Sequence, residues 1–304
     1  MTRYQLEPER PNIHGTFSKD YPPLLTIDPG DSIRYRTLDA RWQIEPPPEP
    51  GKLGQQLERD KEKDGGHCLV GPVAIRGAKA GMALVVHIQR IDVGTWGWSV
   101  PWFVPNGGDP EVAHFMTWTL DPVAMTGVNQ HGHSVRLRPF MGVMGMPPAQ
   151  DGIHDTAPPR ATGGNLDCKE LIAGSTLYLP IEVDGGLFSV GDGHAAQGDG
   201  ELSGTAIECP MQVVELGFDL RDDMPITTPH AVTPEGWLTF GLHEDIDIAM
   251  KTALDAMLDL MVARYDVSRY DALSLAGVAV DMRITQLVNG TRGAHCVLPH
   301  GAIR

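Results

Sequence analysis

A chain of 304 residues with 41% apolar content is long enough to fill one large core or two moderate ones, and so reads as a folded globular protein. Its formal net charge of −15 sets it against the phosphate backbone of nucleic acid and against anionic membrane surfaces, so neither is expected as a partner. No window approaches the roughly 18 unbroken apolar residues of a membrane span, and the N-terminal MTRYQLEPERP lacks the apolar core of a secretory signal. The four cysteines, Cys68, Cys168, Cys209 and Cys296, form no C-x-x-C pair, and the expected compartment is a reducing cytoplasm.

With 35 Gly, 25 Pro and 6% aromatic residues, the chain reads as short elements joined by many turns, which favours β structure. Two turns, Asp28-Pro29-Gly30 and Lys79-Ala80-Gly81, introduce strands at Ser32–Thr37 and Met82–Ile91. Between them the run Glu45-Pro-Pro-Pro-Glu-Pro50 excludes a helix or a central strand; with the charged Arg59–Asp64 it makes residues 45 to 66 a surface excursion. Further strands are expected at Leu69–Ile75 and Val112–Leu120. The aromatic cluster Trp96-Gly-Trp98-Ser-Val-Pro-Trp102-Phe103 is read as core packing, with the wall of a substrate site as the lesser alternative.

The clearest alternation lies in the strand Gly174–Asp184, where Leu177, Leu179, Ile181 and Val183 share one face and Tyr178, Glu182 and Asp184 the other; Pro180 leaves one side unpaired there. Strands at Thr205–Leu220 and Trp237–His243 follow. From Glu244 to Tyr265 the residues Met250, Leu254, Met257, Leu258, Met261, Val262 and Tyr265 recur at helical spacing, with Glu244, Asp245 and Asp247 where the helix dipole favours negative charge. A shorter helix over Ser268–Leu275 leads to a strand Val278–Val288. The expected fold class is mainly β, a β-sandwich or barrel-like body with a smaller α+β C-terminal region. The expected division is a β-rich N-terminal domain over residues 1–185 and a second part, 186–304, in which strands completing the site join the α+β region.

The residues fit for chemistry gather where apolar content is low. In Gly191-Asp192-Gly193-His194 a carboxylate and an imidazole stand two apart, on one side of an extended chain, so both can meet one ion. Turn formation is the ordinary alternative for such Gly-Asp-Gly runs. Gly163-Gly164-Asn165-Leu166-Asp167 repeats the spacing with oxygen ligands, just before the Gly174–Asp184 strand. Asn165, Asp167, Asp192 and His194 are therefore expected to line one concavity, with Glu201 or Glu208 as a proton-transferring carboxylate. His131 and His133 are a reserve pair of ligands, and the Cys168 thiol is the alternative nucleophile. The sequence holds no G-x-S-x-G elbow, phosphate loop, H-E-x-x-H helix or Gly-Gly-Ser-Ser amidase run.

Gly191–Glu201 and Gly163–Asp167 together resemble the acetamidase/formamidase family. The resemblance extends to Asp28–Asp31, Gly71–Ala78, Pro139–Gly145, Gly204–Glu208 and Arg283–Asn289, in the order expected along nearly the whole chain. It implies a β-rich, commonly homo-oligomeric subunit that hydrolyses a small amide substrate such as formamide or acetamide, with a divalent metal, zinc or calcium. Mixed nitrogen and oxygen ligands favour zinc, whereas calcium prefers six to eight oxygens and acidifies water weakly. On this reading Asp167, Asp192 and His194 hold the ion and Asn165 positions the ion or the substrate carbonyl. Glu201 shuttles protons, with Glu208 as the alternate. The rival expectation is a non-enzymatic β-rich module that binds calcium or a ligand.

Overall fold

The computed structural model describes residues 1–49, 51–102 and 115–304. Two large sheets dominate them. The nine-stranded sheet runs in the order Arg3–Leu6, Ser32–Thr37, Met211–Arg221, Ala83–Val93, Thr176–Pro180, His230–Val232, Gly236–His243, Arg292–Pro299, Asp281–Gln286, so strands from both sides of residue 185 share it. The six-stranded sheet runs Gly163–Asn165, Phe140–Gly145, Phe188–His194, Leu69–Ile75, Ile13–His14, with Leu25–Ile27 also pairing Leu69–Ile75. Residues of both sheets, among them Val70, Met144 and Val190 on one and Val86, Leu179 and Leu216 on the other, form one buried apolar cluster. Phe188 meets Phe218 edge to face across the gap, ring centres 5.2 Å apart. The expected mainly-β body is thus present, with the six-stranded sheet carrying the residues singled out for chemistry.

Pro180 pairs only with Ala83, because the neighbour His230–Val232 pairs no further than Tyr178; its missing N–H costs no ladder bond. Residues 45–49 and 51–66 run without regular strands, as the proline run requires, while Pro50 lies outside the described residues. Of the expected strand Val112–Leu120, residues 112–114 lie outside the described residues, and the strand there is Met116–Asp121. It joins a small sheet with Trp96–Ser99, Thr126–Asn129 and Ser134–Arg136.

The strand expected from Thr205 begins only at Met211. Residues before it are drawn elsewhere: the Glu208 N–H donates to the Trp98 carbonyl at 2.8 Å, the Trp98 N–H donates to the Glu208 carbonyl at 2.9 Å, and Cys209 N donates to the Gly193 carbonyl at 2.8 Å. This detour places Glu208 beside His194.

The long helix spans Ile246–Tyr265, two residues shorter at its start than expected because the Asp245 carboxylate caps it by accepting from Asp247 N. Ala249, Ala253, Met257, Leu258 and Met261 are its buried residues, and burial of each large side chain stabilises by roughly 1.5–3 kcal/mol. The helix backbone at Ala249 and Ala253 comes so close to Gly241, in the strand Gly236–His243, that no Cβ fits there. The second helix, Arg269–Ala279, is capped by Ser268 and overruns the expected strand start at Val278, so that strand is Asp281–Gln286. Among the described residues no helix is long and apolar enough to cross a membrane.

Candidate active site

The site is built where three strands of the six-stranded sheet lie side by side. Phe140–Gly145 pairs with Phe188–His194 through Met141↔Gly193 and Val143↔Gly191, which sets Gly142 opposite Asp192, and with Gly163–Asn165 through Val143↔Asn165. Asp167 follows directly, its N–H donating to the Gly142 carbonyl at 3.3 Å. A Cβ on Gly142 would stand 2.8 Å from both Asp167 Oδ1 and His194 Cε1, and closer still to Asp192 Oδ2. The absence of a side chain at Gly142 is what leaves room for the three groups.

Asp167, Asp192 and Glu201 hold left-handed backbone, with φ of 47°, 58° and 45°, and Asn289 has φ of 67°. Such conformations cost non-glycine residues on the order of 1–3 kcal/mol and persist only where surrounding structure enforces them. Their concentration around one concavity marks a place where side-chain direction outweighs local stability.

Asp167, Asp192 and His194 are almost completely buried and offer ligand atoms lying within 4.8 Å of one another. His194 Nε2 is 3.3 Å from Asp192 Oδ2 and 3.2 Å from Glu208 Oε2, while His194 Nδ1 is 3.9 Å from Asp167 Oδ1. Burial opposes charge on this imidazole, yet the Glu208 and Asp192 carboxylates hold its pKa well above the ordinary value. Burial pushes Glu201 up to about 7 and Glu208 up to about 8. Burial, reinforced by the neighbouring Glu201 charge, also lifts Asp167 well above the carboxylate range. Asp192 goes the other way: against the effect of burial, the imidazoles of His194 and His67 hold it below its usual value. Four carboxyl groups thus converge on one imidazole where water barely reaches.

Asp167 Oδ1, Asp192 Oδ1, His194 Nδ1, Glu208 Oε2 and Asn165 Oδ1 are all buried without a hydrogen-bond partner. An unsatisfied buried polar atom costs about 1–3 kcal/mol, so such a cluster is a poor structural device. One divalent cation would satisfy several of these atoms at once. Two carboxylates and an imidazole are the mixed oxygen and nitrogen donor set that suits a zinc-like ion, and the residues therefore fit a metal.

The cradle opens into a cavity of about 300 Å³ lined by Asn165, Asp192, His194, Glu201, Glu208 and Asn289, together with His67, Trp98, Trp102, Arg41 and Arg59. Trp98 is fully buried, as core packing requires, yet it and the exposed Trp102 also line the cavity, so the lesser expectation of a wall holds beside the first; Phe103 lies outside the described residues. Glu208 Oε1 accepts from Ala206 N at 3.0 Å. Glu201 Oε2 accepts from Asn289 Nδ2 at 3.4 Å, and the same amide donates to Asp167 Oδ2 at 3.2 Å and Gln286 Oε1 at 2.8 Å. Asn165 Nδ2 donates to the Ala157 carbonyl at 3.0 Å, and its backbone carbonyl accepts from Gln286 Nε2 at 2.6 Å.

All six expected site residues, Asn165, Asp167, Asp192, His194, Glu201 and Glu208, converge here. His131 and His133 do not: both are exposed at the turn after Thr126–Asn129 in the small sheet. Cys168 is fully buried but does not line the cavity; burial pushes its thiol well above the usual value, and its Sγ donates to Glu170 Oε2 at 3.3 Å. Cys168, Glu170 and His295 also have ligand atoms within 4.8 Å of one another, but Arg283 Nη1 already donates to Glu170 Oε1 at 2.7 Å and supplies the balancing positive charge. Sequence reasoning passed over Gly142, Asn289 and Gln286 as site residues. Their only signal was membership of the stretches Pro139–Gly145 and Arg283–Asn289.

Fold and site define a β protein built on two large sheets, with a buried acid and imidazole cluster beside a cavity. The chain belongs to the acetamidase/formamidase family, whose profile matches residues 2–155 and 149–300. It is 28% identical to the formamidase of Methylophilus methylotrophus in a match that covers 63% of this chain and 60% of that protein. It is 26% identical to the acetamidase of Mycolicibacterium smegmatis in a match that covers 75% of this chain and 73% of the other. The crystal structure of an acetamidase from Bacillus halodurans superposes with a TM-score of 0.84 at 26% identity, over 97% of each chain. The match thus spans less than two thirds of the Methylophilus formamidase and most of the Bacillus acetamidase structure.

Proposed function

We propose that the protein hydrolyses short aliphatic amides of the formamide and acetamide type to ammonia and the carboxylic acid, with a divalent metal ion, zinc in preference to calcium, held by Asp167, Asp192 and His194. The observation that carries this reading is the set of orphaned buried atoms on Asp167, Asp192 and His194, grouped over Gly142, with Asp192 and His194 on the lining of a cavity that Glu201 and Glu208 also line. When bound, such an ion supplies Lewis-acid polarisation of a carbonyl oxygen and a lowered pKa for water.

The chain's own groups supply the rest. Hydrolysis adds a water oxygen to the carbonyl carbon and breaks the C–N bond, so one proton must leave the water and one must reach the nitrogen. Glu208 suits both transfers: Ala206 N anchors Oε1, while Oε2 accepts no hydrogen bond and faces His194 Nε2 at 3.2 Å. Its carboxyl and that of Glu201, raised by burial to about 8 and about 7, can exchange protons near neutral pH. Glu201 is tied to Asn289, which favours Glu208 as the shuttle and leaves Glu201 to steady Asp167. Asn165 Nδ2 gives one of its two N–H groups to Ala157, and its unpartnered Oδ1 can accept from a substrate amide N–H. Four buried, unpaired cysteines suit a reducing cytoplasm.

Metal analysis of protein purified without added metal, paired with ammonia release from formamide and acetamide, tests the reading. The native chain should carry a stoichiometric divalent ion, and Asp192→Asn should lose both ion and activity. Unchanged metal content and unchanged ammonia release in that variant would defeat it.

A further inference from the structure

The cavity over the buried carboxylates holds about 300 Å³, roughly ten times the ~30 Å³ share of one water in the liquid. Acetamide, with a single methyl group beyond its amide, fills a small part of it. Two cations, Arg41 and Arg59, also line it. The Arg41 guanidinium lies 4.7 Å over the Trp102 ring and 6.0 Å over the Trp98 ring. Arg59 lies 5.6 Å over Trp42 and donates from Nη2 to the Arg41 carbonyl at 3.1 Å. Among the described residues, the ion pairs that arginines form include neither of them.

We propose that Arg41 and Arg59 form a carboxylate subsite, and that the preferred substrate is an amide carrying an anionic group at the end remote from the scissile bond, such as the monoamide of a short dicarboxylic acid. The proposal rests on the amidase reading and specifies its substrate class. A guanidinium attracted to an indole ring keeps N–H donors that the ring does not use, and these match a carboxylate in a planar, two-bond fit. Burial makes the charged form of Arg41 less favourable, repulsion from Arg59 adds to that, and Asp39 and Glu208 only partly offset it, although the guanidinium stays charged. An anion between the two guanidinium groups relieves both effects. The buried Asp167, Asp192, Glu201 and Glu208 give the cavity a polarity: a substrate carboxylate is repelled from that end and attracted to the arginines, which directs the neutral amide inward.

The test compares succinamate with 4-methylpentanamide, its neutral isostere, as substrates for the metal-loaded native protein and for Arg41→Gln, Arg59→Gln and Arg41→Lys. The native protein should favour succinamate in kcat/KM, each Gln variant should lose about tenfold of that preference, mainly through KM, and Arg41→Lys should recover part of it. Calorimetric titration with succinamate gives a readout that does not need turnover. Equal use of the two amides, or a preference that both Gln variants retain, overturns the subsite and leaves the amidase reading standing. Succinamate that binds only when both arginines are present, with acetamide and formamide as well as both test amides left uncleaved, upholds the subsite and defeats the amidase reading. Cleavage of acetamide without binding or cleavage of succinamate overturns the subsite alone, and neither cleavage of any amide nor binding overturns both.

Discussion

Gly142 faces Asp192 across the ladder between Phe140–Gly145 and Phe188–His194, and the space a Cβ on Gly142 would occupy is the space into which the Asp192 and Asp167 carboxylates reach. Gly142→Ala keeps an allowed backbone but inserts a methyl group 2.8 Å from Asp167 Oδ1 and His194 Cε1. Overpacking of this kind typically costs 1–3 kcal/mol, and displacement of reacting groups by an ångström can cost on the order of a hundredfold in rate. The expected outcome is a folded variant with reduced metal content and a kcat/KM for acetamide lower by about two orders of magnitude, read by metal analysis and ammonia release.

Asn289 uses one amide nitrogen to steady Asp167, Glu201 and Gln286 together. Asn289→Gly removes that donor while tolerating the left-handed φ of 67°, whereas Asn289→Ala removes it and adds backbone strain. Both variants should lower kcat by about ten- to a hundredfold with little change in KM, and Ala should also lower the melting temperature. A loss of activity confined to Ala would mean that the backbone conformation matters and the amide does not.

Cys168 sits next to Asp167 in sequence, yet its thiol is buried, hydrogen-bonded to Glu170 and held as the neutral form. Cys168→Ala should keep activity within a few-fold of native, and native protein treated with iodoacetamide should lose no activity while folded. Rapid inactivation accompanied by alkylation of this thiol would revive a covalent mechanism.

Burial lowers His14 from 6.5 to about 4, against a bond between Nδ1 and the Thr16 carbonyl at 2.6 Å and attraction from Asp64. Burial likewise lowers His230 from 6.5 to about 4, with only Asp259 opposing. Both are neutral in the folded protein and charge on unfolding. Between about pH 4 and 6.5 the unfolded chain therefore binds protons that the folded chain does not, and stability rises with pH, by ~1.4 kcal/mol per pH unit for each proton. The contribution is complete above pH 6.5 and lost as pH falls through about 4. Urea denaturation at stepped pH should show this slope, and His14→Asn should reduce it by the amount belonging to one proton.

Alternation along an extended chain was sufficient to bring Asp192 and His194 to one side, and the same spacing marked Asn165 and Asp167. What composition hid is that residues 188–194 form a fully buried strand: a glycine-rich, acid-bearing run reads as an open turn, yet it lies between Phe140–Gly145 and Leu69–Ile75. Gly142 gave no chemical signal because its contribution is an absent side chain. Asn289 could not be found by local pattern, since the contact it makes with Asp167 spans 122 positions. Apolar periodicity extended the strand before Met211 too far, because residues 205–210 are buried against Trp98 and Gly193 without pairing as a regular ladder.

The proposed metal ligands Asp167, Asp192 and His194 belong to the six-stranded sheet and its edge, while the amide that bonds to Asp167 and Glu201 arrives from the turn after Asp281–Gln286 in the nine-stranded sheet. The proposed reaction centre therefore comes into being only when the two layers dock, a long-range event that is paid for in slow loop closure. During renaturation, secondary structure should return well ahead of turnover, making recovered catalysis the reporter of the last step in assembly.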